Sequence, residues 1–266
     1  MKIREQLEKQ VSDYIGTQQG TVAVAFYDLE EKTGFSIHGE KRVPSASTIK
    51  LVIMAEVMRR VRTGELSLDA GITVTEEMKT GGDGILKELM PGHVFTLREI
   101  LTLMIIVSDN EATNILVNML GMEAVNQMAG ALGLKAAVLG RRMMDSEAKK
   151  KGHDNYICAD DIAKIYKMLW EGTCIDEEAS AFMLDVLKRQ QQSGRLQLYL
   201  PEEVEVAHKC GDLDFLENDG GIIFLPGHPY ILVVLTSDMK SNKEGREVIG
   251  EISRMIYNTL VGACGH

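Results

Sequence analysis

A serine becomes a nucleophile only when a neighbouring base can take its proton. Ser47-Thr48-Ile49-Lys50 offers such a pair, three positions apart and therefore on one face of a helix. Lys50 stands in an apolar run: Ile49, Leu51, Val52, Ile53, Met54, Ala55, Val57 and Met58 surround it. Desolvation in such a helix lowers a lysine pKa until the neutral amine is a usable base. At the helix start, unpaired backbone N–H groups can receive a developing oxyanion. The same spacing recurs at Ser146-Glu147-Ala148-Lys149, but there the stretch is polar and no buried helix is expected behind it. Taken alone, the first motif reads equally well as an N-cap serine with a snorkelling lysine.

Two further clusters bear the right groups. In Ser108-Asp109-Asn110, a hydroxyl can relay a proton to a leaving nitrogen and an amide can hold a substrate carbonyl. The same three residues also read as a helix-capping turn. Lys209-Cys210-Gly211, expected to end a strand before Asp212, would set a fixed positive charge over a cleft. An ordinary strand-end lysine followed by a turn glycine is the plainer alternative.

The elements that must position these groups follow from periodicity. Ile3, Leu7, Val11 and Ile15 recur every four residues, an amphipathic first helix. Thr21 to Leu29 alternates and, with Gly34-Phe35-Ser36-Ile37-His38, predicts a β-hairpin. The apolar stretch from Ser47 to Arg62 predicts a buried helix, and Thr96-Leu97-Arg98-Glu99 is a capping box opening another. Ala112–Leu120, Met122–Leu132 and Asp161–Trp170 continue helical. Leu139 to Asn155 is polar, basic and aperiodic, a long loop of the kind that commonly carries function. Three short β-branched runs follow, Val204–Lys209, Gly221–Leu225 and Tyr230–Leu235, and then a closing helix from Gly245 to Leu260. Strands from both ends must meet in one antiparallel sheet, with the helical middle inserted. The expected division is residues 1–44 with 205–266 for the sheet part and 45–204 for the helical part.

Composition limits the chemistry. The chain has 266 residues, 29 Lys+Arg against 39 Asp+Glu, and a net charge of −10, which opposes nucleic-acid binding by phosphate neutralisation. No apolar run reaches the roughly 18 residues of a membrane span, and no signal-peptide stretch follows the first charges. Cys158, Cys174, Cys210 and Cys264 lack CxxC spacing and read as reduced thiols of a cytoplasmic protein. The six histidines show no paired spacing, so neither a metal nor another cofactor is expected. The partner expected is a small-molecule substrate, met by a monomer.

In this order, S-x-x-K, S-D-N and K-x-G resemble the serine acyl-transfer signature of the class A β-lactamase family. Gly81-Gly82-Asp83-Gly84-Ile85-Leu86, Pro91-Gly92, Thr96-Leu97 and the run from Leu101 to Asn114 are similar to that family as well. The resemblance spans roughly Thr21 to Leu260. It implies an α/β (α+β) fold of the β-lactamase/transpeptidase type, an antiparallel sheet flanked by terminal helices with an all-helical lobe inserted. It further implies Ser47 as the acylated serine, Lys50 as its activator and Ser108 as the proton donor to the leaving nitrogen. Asn110 would hold the substrate side-chain carbonyl, and Lys209 would match the β-strand lysine. Backbone N–H groups of Ser47 and Asp212 would form the oxyanion hole.

The departures from the family pattern are specific. Met143 falls where the family's deacylating glutamate is expected and Glu147 where an asparagine is expected, so deacylation should be slow unless Asp145 or Glu147 takes over. Cys210 replaces a threonine or serine that helps hold the substrate carboxylate. Gly220 stands near the place of a carboxylate-binding arginine, for which Arg246 is a substitute anchor or simply a surface arginine. Asp212 would oppose negative charge unless its side chain faces solvent. Three activities follow: hydrolysis of a β-lactam or related amide, an esterase or D-amino-acid peptidase activity, or penicillin binding and sensing without turnover.

Overall fold

The computed structural model describes residues 3–264; His266, counted among the histidines above, and the side chain of Cys264 lie outside the described residues. The chain runs α1 (Ile3–Ile15), β1 (Thr21–Asp28), β2 (Thr33–Ile37) and β3 (Val43–Pro44), then through a 3-10 turn (Ala46–Ile49) into α2 (Lys50–Arg62). Next come β4 (Gly71–Thr73), β5 (Val94–Thr96), α3 (Leu97–Ile106), α4 (Asn110–Leu120), α5 (Met122–Ala131) and α6 (Ser146–Lys150). The remainder is β6 (Tyr156–Ile157), α7 (Ala159–Trp170), α8 (Glu177–Lys188), β7 (Val206–Leu213), β8 (Leu216–Ile223), β9 (Tyr230–Ser237) and α9 (Asn242–Cys264).

Five strands form one antiparallel sheet in the order β2-β1-β9-β8-β7. The period-2 alternation of β1 decides its two faces. Val22, Val24 and Phe26 pack with Leu7 and Val11 of α1 and with Ile249, Ile252 and Ile256 of α9. Ala23 and Ala25 point the other way, into a core shared with α2 to α5, α7 and α8. Burying a Leu or Val contributes about 1.5–3 kcal/mol, which is why Leu7 and Val11 anchor α1 while Ile3, at its frayed start, stays exposed. Helix α2 is buried over its first nine residues, as its apolar sequence predicts. The capping box at Thr96 is formed, with Glu99 returning to the Thr96 backbone N–H at 2.6 Å.

Several elements differ from expectation, among them β8, which starts at Leu216 rather than at Gly221. β7 does not end at Lys209 but continues through Gly211 to Leu213, because β8 starts at Leu216 and pairs with every residue of it. The polar stretch 139–155 holds a short helix, α6, because Asp145 caps it by accepting from Ala148 N at 2.9 Å. The Ser146–Lys149 motif is thus helical, although none of α6 is buried. Helix α8 was hidden by its polar start and is capped by Asp176, which accepts from Ala179 N at 2.8 Å. Among the described residues no helix is long and apolar enough to cross a membrane.

The entry to the 139–155 loop is held by one carboxylate. Asp161 of α7, 3% exposed, accepts the backbone N–H groups of Lys135 (2.8 Å), Ala136 (2.8 Å) and Ala137 (2.9 Å). Removing it leaves three donors without partners, at a cost of about 1–3 kcal/mol for each one that water cannot reach. Asp161→Ala should lower stability by about 3 kcal/mol, read as a lower urea midpoint with an unchanged m-value. A loss below about 0.5 kcal/mol would show that water replaces the carboxylate.

Candidate active site

Ser47 lies at the joint between the short strand β3 and α2, and this joint is clamped from both sides. Ser45 N donates to Asn155 O at 2.8 Å, and the Asn218 side chain of β8 donates to Pro44 O at 3.0 Å. Ala46 takes φ of +46°, in the left-handed region that costs a non-glycine residue about 1–2 kcal/mol. That twist starts the 3-10 turn carrying Ser47. From the sheet side, β7 approaches so closely at Gly211 that a Cβ there would overlap the Ser47 backbone nitrogen. This position accepts only glycine.

One turn after Ser47, Lys50 is fully buried, and its ammonium is surrounded by acceptors from the Ser108 segment. It donates to Ser108 O at 2.7 Å, to Ser108 Oγ at 3.1 Å and to Asn110 Oδ1 at 3.0 Å. Lys209 of β7, also fully buried, donates to the same Ser108 Oγ at 3.1 Å and to Cys210 O at 2.7 Å. Burial pushes the Lys50 amine well below the ordinary lysine range, and the neighbouring Lys209 charge pushes it further the same way. Burial lowers Lys209 too, opposed by the acidic surroundings of Cys210 and Asp219. With both lysines donating, the lone pairs of the Ser108 hydroxyl are engaged and its proton can be released elsewhere. Ser108 itself has φ of +55°, a conformation that aims its carbonyl and its hydroxyl at Lys50 together.

The Asp109 between Ser108 and Asn110 is structural, a role its sequence position did not reveal. One carboxylate oxygen caps α4 by accepting from Ala112 N at 2.9 Å. The other accepts from Ile85 N at 2.7 Å and Leu86 N at 2.9 Å, fastening the 81–86 loop to the cleft rim. Asn110 completes that attachment by donating to Gly81 O at 3.3 Å. Asn114 does the same for the far loop: it accepts from Met143 N at 2.9 Å and donates to Met143 O at 3.1 Å. Met143 is thereby held beside Ser47, lining a cleft of about 340 Å³ with Asp83, Asn110 and Asp212. Asp145 and Glu147 do not line that cleft. The Asp145 carboxylate is the cap of α6, and exposed Glu147 pairs with Lys150 at 2.7 Å.

On the β-strand side, the expected residues separate. Cys210 is fully buried, and its thiol donates to Gln192 Oε1 at 3.1 Å; burial pushes that thiol upward. Gly220, opposite Lys209 in the register, has no room for a side chain, since a Cβ would lie 2.8 Å from Ile162 Cγ2. Arg246 donates to Glu217 at 2.9 Å and lines an adjoining groove of about 940 Å³ that shares Lys149, Asp154, Asp212 and Leu213 with the cleft. The guanidinium nearest this strand is Arg195, unmarked in the sequence because it lies in an aperiodic segment. It bridges Glu217 and Asp212, both at 2.6 Å, so the Asp212 carboxylate is neutralised beside the cleft. The structure thus assembles Ser47, Lys50, Ser108, Asn110, Lys209 and Gly211, seals Cys210 away, and places Asp212 and Arg246 in ion pairs.

A buried lysine whose folded pKa lies below its unfolded value of 10.5 makes stability depend on pH. Across the window between the two values the unfolded state holds a proton that the folded state lacks, so stability rises with pH there. Lys50→Met removes that contribution. The unfolding free energy, measured in urea between about pH 7 and 9.5, should therefore climb less steeply in Lys50→Met than in the parent. Parallel curves would mean that Lys50 keeps its proton in the folded protein.

The chain matches the Beta-lactamase enzyme family over residues 6–260. A β-lactamase of Bacteroides uniformis is 22% identical over 272 residues, covering 96% of this chain and 91% of that protein. The β-lactamase Toho-2 of Escherichia coli is 26% identical over 251 residues, covering 91% and 84%. Among solved structures, a β-lactamase from Sphaerobacter thermophilus is similar at a TM-score of 0.88 and 30% identity, over 94% of this chain and 96% of that one. A PBP-A mutant, solved as an acyl-enzyme complex with penicillin G, is similar at a TM-score of 0.89 and 25% identity over 97% of each chain. Spanning the sheet, the helical lobe and the cleft between them, these matches establish that the chain belongs to the beta-lactamase enzyme family and is a serine hydrolase of that type.

Proposed function

We propose that Ser47 is acylated by a β-lactam or related amide and that the acyl-enzyme is hydrolysed slowly. The observation that carries this reading is the Ser108 hydroxyl bonded at 3.1 Å to each of two buried lysines. As a neutral amine, Lys50 donates two N–H groups to Ser108 O and Asn110 Oδ1 and keeps a lone pair for an incoming proton. The Ser47 oxygen attacks the carbonyl carbon while its proton passes to Lys50. The carbon–nitrogen bond then breaks, the nitrogen takes the Ser108 proton, and Lys50 returns one to Ser108. The charge on Lys209 has one N–H left beyond Ser108 Oγ and Cys210 O, suited to a substrate carboxylate. The oxyanion would sit between the backbone N–H groups of Ser47 and Asp212, on the two segments that Gly211 brings into contact.

Hydrolysis of the ester needs a base for water, and here the support weakens in a chemically definite way. Met143 occupies the cleft wall where the family resemblance calls for a glutamate, and a thioether cannot take a proton. An esterase or D-amino-acid peptidase is the second reading, favoured by this same Met143, because such activities acylate the serine without needing fast release of a β-lactam. Penicillin binding without turnover is the limiting case of slow release.

Incubation with penicillin and measurement of intact mass over time should give a one-to-one adduct that Ser47→Ala abolishes. No adduct and no turnover would remove the β-lactam reading, and hydrolysis of simple aryl esters would then favour the esterase. Met143→Glu should shorten the adduct lifetime by at least about tenfold, since a positioned general base contributes about 10²–10⁴ in rate. An unchanged lifetime would mean that residue 143 does not face the deacylating water.

A further inference from the structure

The cleft beside Ser47 is lined by carboxylates from three places: Asp83 on the 81–86 loop, Asp154 on the long loop and Asp212 on β7. Two are neutralised by guanidinium groups, Asp154 by Arg141 at 2.8 Å and Asp212 by Arg195 at 2.6 Å. Asp83 has neither an ion pair nor a side-chain hydrogen bond among the described residues, although its charge is felt by the buried Lys50 and Lys209. The cations near it in sequence are engaged, Lys87 with Gly82 O at 2.6 Å and Lys79 with Glu76 at 3.0 Å. Lys149, the unpaired cation of the cleft, stands on a different wall, on α6.

The backbone that carries this exposed carboxylate is fastened. Asn110 N donates to Asp83 O at 3.0 Å, and Asp109 fastens Ile85 N and Leu86 N two and three residues on. Gly84, at φ of +117°, has no space for a Cβ because the Asp109 side chain occupies it. Asp83 is thus fixed on the Asn110 side of the cleft. If Asn110 holds the carbonyl of the substrate's acyl group, the next substituent of that group reaches the 81–86 loop. A fixed and unpaired negative charge there favours a positive substituent.

The geometry points to Asp83 as the residue that selects acyl donors carrying an ammonium group on the acyl portion, an inference that rests on the acyl-transfer reading of the site. A matched pair of compounds tests it: benzylpenicillin and its α-amino derivative, which differ by one amino group. At about pH 6 the amine is charged, as α-amino groups titrate near 7.7–8. The ratio of the two second-order acylation rate constants, amino over benzyl, should fall about two- to fivefold in Asp83→Asn, the size expected of a partly exposed ion pair. The parent's ratio should also fall toward that of the variant in high salt, which screens such a pair. Using a ratio removes any effect of Asp83 on the two lysines, because that effect is common to both compounds. An equal ratio in parent and Asp83→Asn overturns this inference alone. Failure of both compounds to acylate Ser47 overturns the acyl-transfer reading and the selectivity with it.

Discussion

Two lysine amines share one serine hydroxyl in a place that water does not reach, and the rest of the site is arranged around that fact. Each buried ammonium costs several kcal/mol of lost hydration unless acceptors replace the water. Two such charges bonded to the same oxygen also repel each other. The arrangement relieves this unequally. Both amines bond to neutral acceptors; burial and the Lys209 charge push Lys50 down against the pull of Asp83 and Asp109, whereas Lys209 is pushed down by burial against Cys210 and Asp219. The proton is thereby easier to remove from Lys50. The two amines differ because of what surrounds them, although they are the same residue type.

Holding that geometry requires side chains that bond to backbone far away in sequence. Asp109 reaches the 81–86 loop, Asn114 clasps Met143, Asn155 accepts from Gly140 N and Arg141 N, and Asn218 reaches Pro44. Short polar side chains suit this work because they carry two acceptor or donor positions on a stiff stem. The positive φ values at Ala46 and Ser108 belong to the same economy of shape. Each is a local cost of about 1–3 kcal/mol that persists only because the surroundings over-determine it. Both occur where a hydroxyl must be turned toward the cleft rather than into a helix.

What could be read in the sequence follows from the range of the interactions. The alternation of Val22, Val24 and Phe26 and the heptad-like spacing of α9 are local signals, and both elements form as their periods predict. The Ser47–Lys50 pair was legible because its spacing is one helical turn. Strand β7 was cut short because Gly211, Asp212 and Leu213 have weak strand propensity; pairing with β8 overrides it. Arg195, Gln192 and Asp83 carried no local signal at all. Their roles arise from the partners they meet or lack: Arg195 between two carboxylates, Gln192 over Cys210, Asp83 at the cleft without an ion pair.

The departures from the family pattern fall on two functions, holding a substrate carboxylate and releasing an acyl group. The groups that acylation of a serine would use stand together: Ser47 at a strained turn, Lys50 with a pKa lowered by burial, the Ser108 hydroxyl between two lysines, and a glycine that lets two backbone segments touch. The groups for carboxylate binding and for deacylation are altered instead. A thioether stands at Met143, the Cys210 thiol is turned to Gln192, and the sheet has no space for an arginine at Gly220. Lysine buried to this degree is destabilising by itself and is tolerated only where its partners are kept intact. The two buried lysines keep their partners in that sense, and the cleft wall is apolar at Met143.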